Sequence, residues 1–116
     1  MKRLIISLLL LSMVGAASAD GHWDTCGNFF QFWKAFEKEN KNPTELWQAA
    51  DFMGYVAGWV DADKVHNKKG INFPTGFTKG QAIQIVGNWL ERNPTRWHLA
   101  KKTCVFLAFK EAYGLK

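Results

Sequence analysis

Residues 46–62 read LWQAADFMGYVAGWVDA, and this stretch decides the fold. Its apolar residues recur at helical spacing on two neighbouring stripes, a pattern that predicts a central helix with a wide buried face. The stripes consist of Leu46, Ala49, Met53, Val56 and Val60, and of Phe52, Val56 and Trp59. Gly54 and Gly58 each cost about 0.5–1 kcal/mol relative to Ala inside a helix. Their presence predicts that another backbone packs closely against that side.

The first two helices are bounded by a charged turn and a capping sequence. Apolar residues recur at helical spacing from Cys26 until the chain becomes charged near Asn40, which predicts a first helix over this range. The central helix starts at Asn42, whose side chain can act as N-cap, and Glu45 is placed to complete a capping box. It is predicted to continue to about Lys64.

Two more helices are predicted after a polar loop. The sequence TKGQ at residues 78–81 is a second capping box, and a third helix is predicted from it to Asn93. A fourth is predicted from about Pro94 or Thr95 to a C-terminal cap at Gly114. No stretch alternates apolar and polar residues as a half-buried strand would. The sequence therefore predicts an all-α, compact four-helix domain.

Residues 1–19 have the pattern of a secretory signal peptide. A basic start precedes an apolar run over residues 4–14, and ASA at the end of the segment matches a cleavage site. The apolar run is shorter than the roughly 20 residues that a membrane span needs, and no later segment qualifies. We expect cleavage between Ala19 and Asp20, leaving residues 20–116 as a single helical domain outside the cytoplasm, without a membrane anchor.

Cys26 and Cys104 are the two cysteines of the chain. An oxidising compartment favours a disulfide between them. Such a bridge would join the first helix to the last, and the chain-entropy model gives about 4–5 kcal/mol for so long a loop. A free or intermolecular thiol at each position is the alternative. A metal site is not expected, because neither cysteine has a C-x-x-C partner and the histidines are scattered; no cofactor is expected either.

Charge and motifs argue against nucleic-acid binding and catalysis. The formal charge is +5, and without Lys2 and Arg3 it is 5 − 2 = +3. No stripe of basic residues interleaves with exposed aromatics, as a nucleic-acid surface would require. None of the three histidines lies in a catalytic motif. Asp61 and Asp63 are two residues apart at a helix end, so they do not face each other as an acid–base pair. The sequence predicts a protein that is not an enzyme.

Residues 65–77 form the longest predicted loop, polar and interrupted by glycine and proline. Loops of this length in compact domains are often functional. Lys68 and Lys69 can serve solubility or contact an acidic groove, and Phe73 can anchor a partner or fold back under the loop. The candidate partner-binding residues in this loop are His66, Asn67, Lys68, Lys69, Gly70, Ile71, Asn72 and Phe73.

Three motifs occur in a fixed order: FMGYVAGWVDA at residues 52–62, PTGFTKGQ at 74–81 and WLERNPTRWHLA at 89–100. Together they resemble the Tai/Rap family of type VI secretion immunity proteins. The pattern of that family is G-Y-x-x-G-x-x-D-A, then P-x-G-V-T-x-x-Q, then Y-L-x-x-x-P-x-x-R-H-x-x-A. The resemblance covers nearly all of the expected mature chain.

The resemblance implies a small, helical periplasmic protein, often a homodimer, that performs no chemistry itself. Its partner would be a secreted peptidoglycan-cleaving effector, an amidase whose active-site cleft is occluded by a loop or helix edge of the immunity protein. Many relatives carry cysteines near the positions of Phe52 and Asn72, which this sequence lacks; Cys26 and Cys104 can staple the fold instead.

A periplasmic stress-protection chaperone is the alternative function. The chain is similar to the small acid-stress chaperones in being helical with a single expected disulfide. Those proteins tend to be highly charged and poor in tryptophan, whereas this chain has six tryptophans and nine phenylalanines. Because each large aromatic can bury roughly 150–250 Å², the composition favours a stable core over a chaperone that unfolds easily.

Overall fold

The computed structural model describes residues 24–116. Four α-helices and one 3₁₀ turn follow one another along the chain: α1 (Cys26–Glu37), α2 (Pro43–His66), α3 (Lys79–Arg92), the 3₁₀ turn (Pro94–Arg96) and α4 (Lys101–Tyr113). This range contains no strand, only isolated antiparallel bridges between Thr25 and Ala100 and between Ile71 and Leu115. The predicted all-α, four-helix fold is confirmed. The predicted signal peptide, residues 1–19, and its cleavage site lie outside the described residues.

Both predicted capping boxes are present. At the start of α2, the Glu45 N–H donates to Asn42 Oδ1 (2.8 Å) and the Asn42 N–H donates to Glu45 Oε1 (3.0 Å). At the start of α3, Thr78 and Gln81 exchange the equivalent bonds over 3.1 and 2.9 Å. Each box supplies partners to amides that the helix itself leaves unpaired, so these two helices begin where local sequence directs.

The fourth helix begins later than predicted. Its expected start near Pro94 is wrong, because the chain makes a 3₁₀ turn there and α4 starts at Lys101. The backbone between them caps α1 instead: the Cys26 N–H donates to the Leu99 carbonyl (2.8 Å), and the next amide donates to Trp97 (2.9 Å). The first amides of a helix have no partner within it. A helix through this segment would turn those carbonyls toward its own amides.

The core lies between α2 and the other helices. Phe29 of α1 stacks on Phe52 of α2, with ring centroids 4.4 Å apart. The predicted inner stripe of α2 is buried at Ala49, Phe52, Val56 and Val60. Leu46 and Met53 were predicted on the same stripe, but they are 57% and 38% exposed. The other helices pack on one side of α2 and leave these two positions beyond their edge.

The predicted close packing against Gly54 and Gly58 is also wrong. A β-carbon built at either position has no atom within 4 Å. Close approach occurs at other glycines: a β-carbon would lie 2.3 Å from the indole of Trp33 at Gly87 and 2.4 Å from the Asp63 carboxylate at Gly70. The glycines that packing requires therefore lie in α3 and in the loop that follows α2, not in the central helix itself.

Cys26 and Cys104 form a disulfide, as predicted. It joins the first residue of α1 to α4 across 78 positions of sequence, with the two α-carbons 6.3 Å apart. Both cysteines are fully buried.

No helix among residues 24–116 is both long enough and apolar enough to cross a membrane.

Candidate functional site

The candidate loop, residues 66–73, follows directly from the end of α2. His66 is the final residue of α2 and Asn67 is its C-cap, with the Asn67 N–H donating to the Asp63 carbonyl (3.1 Å). Lys68 and Lys69 form an exposed turn. Along the loop, the exposed positions are His66, Asn67, Lys68, Lys69 and Asn72, the buried ones are Gly70 and Ile71, and Phe73 is partly buried.

Asp63 lies beneath the loop and organises it. One carboxylate oxygen accepts the Ile71 N–H (2.9 Å), and the other accepts the Asn67 side-chain amide (3.1 Å). The side chain is 9% exposed. Gly70 passes so close to this carboxylate that a β-carbon would lie 2.4 Å from Oδ2. A buried carboxylate needs hydrogen-bond partners, and here the loop backbone provides one of them.

The sequence predicts Asp63 only at the polar end of the helix. A signal of its internal role was nevertheless present: Asp63 is seven residues after Val56 and three after Val60, on the buried stripe of α2. Positions at this spacing share one helical face. A carboxylate on that face must find partners inside the fold, and the nearest chain available is the loop that follows.

The segment after α4, residues 114–116, pairs with the same loop and is called the tail below. The Lys116 N–H donates to the Gly70 carbonyl (2.9 Å), and the Asn72 N–H donates to the Gly114 carbonyl (2.9 Å). Ile71 and Leu115 form the antiparallel bridge between them. Gly114 has φ +74°, a conformation that glycine adopts without steric penalty and that turns the chain out of α4.

Phe73 folds back under the loop and is not its exposed tip. Its ring stacks on Phe77 with centroids 4.8 Å apart and meets the rings of Phe109 (5.2 Å) and Tyr113 (6.1 Å) edge-on. The Lys64 ammonium lies 5.7 Å from its ring centroid. Of the two roles considered for Phe73, the structure therefore favours packing against α4 over contact with a partner.

The surface that the loop presents is cationic. Lys68 and Lys69 are exposed at its turn, Lys64 is exposed one turn earlier on α2, and Lys116 is exposed on the adjacent tail. The neighbouring carboxylate of Asp61 is 3.3 Å from the ammonium of Lys79 and so has its own partner. Clustered like charges of this kind favour an acidic partner surface and speed its association.

A shallow hollow of about 210 Å³ lies beside the middle of α2, lined by Asp24, Tyr55, Ala100, Lys101 and Lys102. Burial, and to a lesser extent the charge of Asp24, raise the pKa of Tyr55. The Lys101 ammonium lies 4.4 Å from the centre of the Tyr55 ring. This geometry holds the ammonium in a cation–π contact, which indicates a structural role for both residues.

Metal-ligating side chains do not come together in the described part of the chain: no group of three or more His, Cys, Asp or Glu residues could hold an ion there. Cys26 and Cys104 are both used by the disulfide. Among the predicted partner-binding residues, those that are exposed together on one surface are the polar ones at and after the end of α2: His66, Asn67, Lys68, Lys69 and Asn72.

Comparison with known proteins agrees with the sequence motifs. The sequence model of the Rap1a immunity proteins matches residues 20–114. No curated protein and no solved structure matches the chain. The family match covers all four helices and the candidate loop, and it confirms the resemblance to type VI immunity proteins. The chain belongs to the family of Rap1a immunity proteins.

Proposed function

We propose that this protein is a periplasmic immunity protein that binds a secreted peptidoglycan amidase and occludes its active-site cleft. The observation that carries the proposal is the family match over residues 20–114. Membership of this family suggests immunity to a type VI effector, and its members are generally not enzymes. We propose, beyond family membership, that the effector is an amidase and that inhibition occurs by occlusion of its cleft.

Compartment and covalent structure are consistent with this role. An amidase acts on peptidoglycan outside the cytoplasm, so its inhibitor must be there too. The signal-peptide pattern of residues 1–19 supplies the export route that the proposal needs. The buried Cys26–Cys104 disulfide is typical of proteins that fold in an oxidising compartment.

We propose that the candidate loop supplies the cationic part of the contact, through Lys68 and Lys69. Their turn projects from a base that Asp63 and the tail hold by hydrogen bonds. A loop that is ordered before binding loses less conformational entropy in the complex. A stable interface buries about 800 Å² on each partner, so exposed residues near the end of α2 are expected to contribute beside the loop.

The test of this contact uses a purified type VI peptidoglycan amidase that the wild-type protein inhibits, and failure to find such an amidase would count against the proposed function. We expect Lys68→Glu/Lys69→Glu to weaken inhibition by at least about tenfold, because the acidic rim that we propose for the amidase cleft would then face two acidic side chains. The matched control is Lys102→Glu/Lys110→Glu, which makes the same change in charge at two exposed positions of α4. Equal inhibition by both double variants would exclude the loop from the contact.

We further propose that the chain forms a homodimer through the exposed face of α2. Leu46 and Met53 are exposed on this face, Ala50 lies between them, and Gly54 follows Met53. Small residues at this spacing allow a second helix to approach closely, and a two-fold interface uses one patch twice. Light scattering after size exclusion tests this: Met53→Glu should give a monomer, whereas Gln84→Glu on α3 should not.

A further inference from the structure

We infer that Asp63 and the tail are positioning elements for effector binding: together they hold the candidate loop in the conformation that presents Lys68 and Lys69. The hydrogen bonds of Asp63 and of the tail to this loop are called the lock below. This inference rests on the proposed function, because it concerns the same contact surface. Neither Asp63 nor the tail is required to touch the effector. Each acts through the loop backbone, from opposite sides of the buried Gly70–Ile71 segment.

The inner side of the lock is the Asp63 carboxylate. It accepts the Ile71 N–H (2.9 Å) in a buried environment and also binds the Asn67 amide (3.1 Å), so it joins both ends of the exposed turn. The Gly70 N–H closes the turn by donating to the Asn67 carbonyl (3.1 Å). A buried amide that loses its acceptor is strongly disfavoured, and therefore the turn has little freedom while Asp63 is in place.

The outer side of the lock is the tail. Its two backbone hydrogen bonds, from Lys116 to Gly70 and from Asn72 to Gly114, are each 2.9 Å long and flank the bridge between Ile71 and Leu115. Only backbone atoms make these hydrogen bonds, so they do not depend on the side chain of Lys116. Its position after Tyr113 places the lock at the edge of the helical fold, directly beside the fully buried Ile71.

The experiment removes one amide hydrogen and leaves the rest of the tail. Lys116→Pro deletes the N–H that donates to Gly70, and Lys116→Ala is the control, because it loses the same charge and keeps the N–H. Two quantities are measured: amide hydrogen exchange at Ile71 and Asn72 by NMR, and affinity for the same purified type VI peptidoglycan amidase. Relative to Lys116→Ala, we expect the proline variant to exchange about tenfold faster and to bind about tenfold more weakly.

A second pair of variants tests the inner side. Asp63→Asn keeps an acceptor for the Ile71 N–H, and the Asn67 amide can rotate to accept from the new NH₂ group; Asp63→Ala removes the acceptor. We expect the asparagine variant to retain slow exchange and tight binding, and the alanine variant to lose both. Rescue by asparagine separates positioning from any need for the negative charge itself.

Two results would overturn the inference. One is equal exchange at Ile71 and Asn72 in Lys116→Pro and Lys116→Ala. The other is faster exchange in the proline variant with unchanged affinity for the amidase, which would show that the lock does not serve binding. Absence of binding by the wild-type protein would instead overturn the proposed function, and with it the role of the lock in binding. The exchange data would still report whether the tail holds the loop.

Discussion

The backbone of Gly87 in α3 lies directly against the indole ring of Trp33 in α1. A β-carbon at position 87 would lie 2.3 Å from Trp33 Cδ2 and Cε2, far inside van der Waals contact. Trp33 is 1% exposed, and its Nε1–H donates to Glu91 Oε2 (3.0 Å) one turn further along α3. The glycine therefore lets α3 approach α1 closely enough to cover the largest fully buried side chain, Trp33.

Gly87→Ala should destabilise the protein by about 1–3 kcal/mol, because the indole and its hydrogen bond must move to admit a methyl group. The better helix propensity of alanine, worth about 1 kcal/mol, offsets only part of this. Gly58→Ala is the control: its β-carbon meets no atom within 4 Å, so it should stabilise by about 0.5–1 kcal/mol. Urea unfolding in dilute solution measures both, and equal effects would contradict the packing argument.

Replacing both cysteines, as Cys26→Ala/Cys104→Ala, should lower the free energy of unfolding by about 4 kcal/mol. The bridge spans 78 positions, and the chain-entropy model assigns most of this amount to the restricted unfolded state. Urea unfolding with and without reductant provides the measurement. Reductant should destabilise the wild-type protein and leave the double variant unchanged. A wild-type curve that is insensitive to full reduction would contradict the expectation.

Phe73→Ala should destabilise the fold by about 2–3 kcal/mol, because the ring packs against Phe77 and Phe109. This is somewhat less than for a fully buried phenylalanine, since Phe73 is only partly buried. The neighbouring control is Asn72→Ala, which keeps the backbone bond to Gly114 and should change stability by less than about 0.5 kcal/mol. Thermal unfolding compares them. A Phe73→Ala variant of normal stability that fails to inhibit the amidase would instead make Phe73 a direct contact.

Glu45 should add stability at neutral pH that is lost in acid. The hydrogen bond from the Lys38 ammonium, followed by that from the Asn42 backbone, holds the pKa of Glu45 below its usual value. A lowered pKa in the folded state stabilises the fold above the unfolded value of about 4.3, and this contribution disappears as pH falls through the folded pKa.

The difference in melting temperature between the wild-type protein and Glu45→Gln measures this contribution. It should favour the wild type at pH 7 and shrink as the pH is lowered below about 4.3. Adding Lys38→Met to both proteins should reduce the difference at pH 7, since Lys38 is the larger cause. A difference that is the same at neutral and acid pH would rule out the ionised carboxylate as its source.

Local features of the sequence predicted helices, but not how their faces meet. The sequence predicts the capping boxes at Asn42 and Thr78, because every atom involved lies within four residues. It does not predict the start of α4, since the carbonyls of Trp97 and Leu99 are used by α1, some seventy residues earlier in the chain. Helical spacing cannot show that a carbonyl is needed elsewhere.

For the candidate site, composition predicted the loop, and tertiary packing decided which of its residues are exposed and which are buried. Polar sequence interrupted by glycine and proline predicted the loop that contains residues 66–73, and Lys68 and Lys69 are exposed as such a sequence suggests. The burial of Ile71 depends on Asp63 below it and on the tail beside it. These contacts join positions 8 and 44 residues apart in the chain, counted from Ile71 to Asp63 and to Leu115, and no periodic pattern relates them.

The sequence by itself determined the helical class, the capped starts of α2 and α3, the pairing of the only two cysteines and the family. These properties depend on neighbouring residues or on the order of motifs along the chain. The tertiary structure alone decided which glycines are packing sites. Gly54 and Gly58 have open space, whereas Gly87 and Gly70 touch Trp33 and Asp63. A glycine is required where another segment approaches the backbone, and only the packed arrangement of helices establishes that approach.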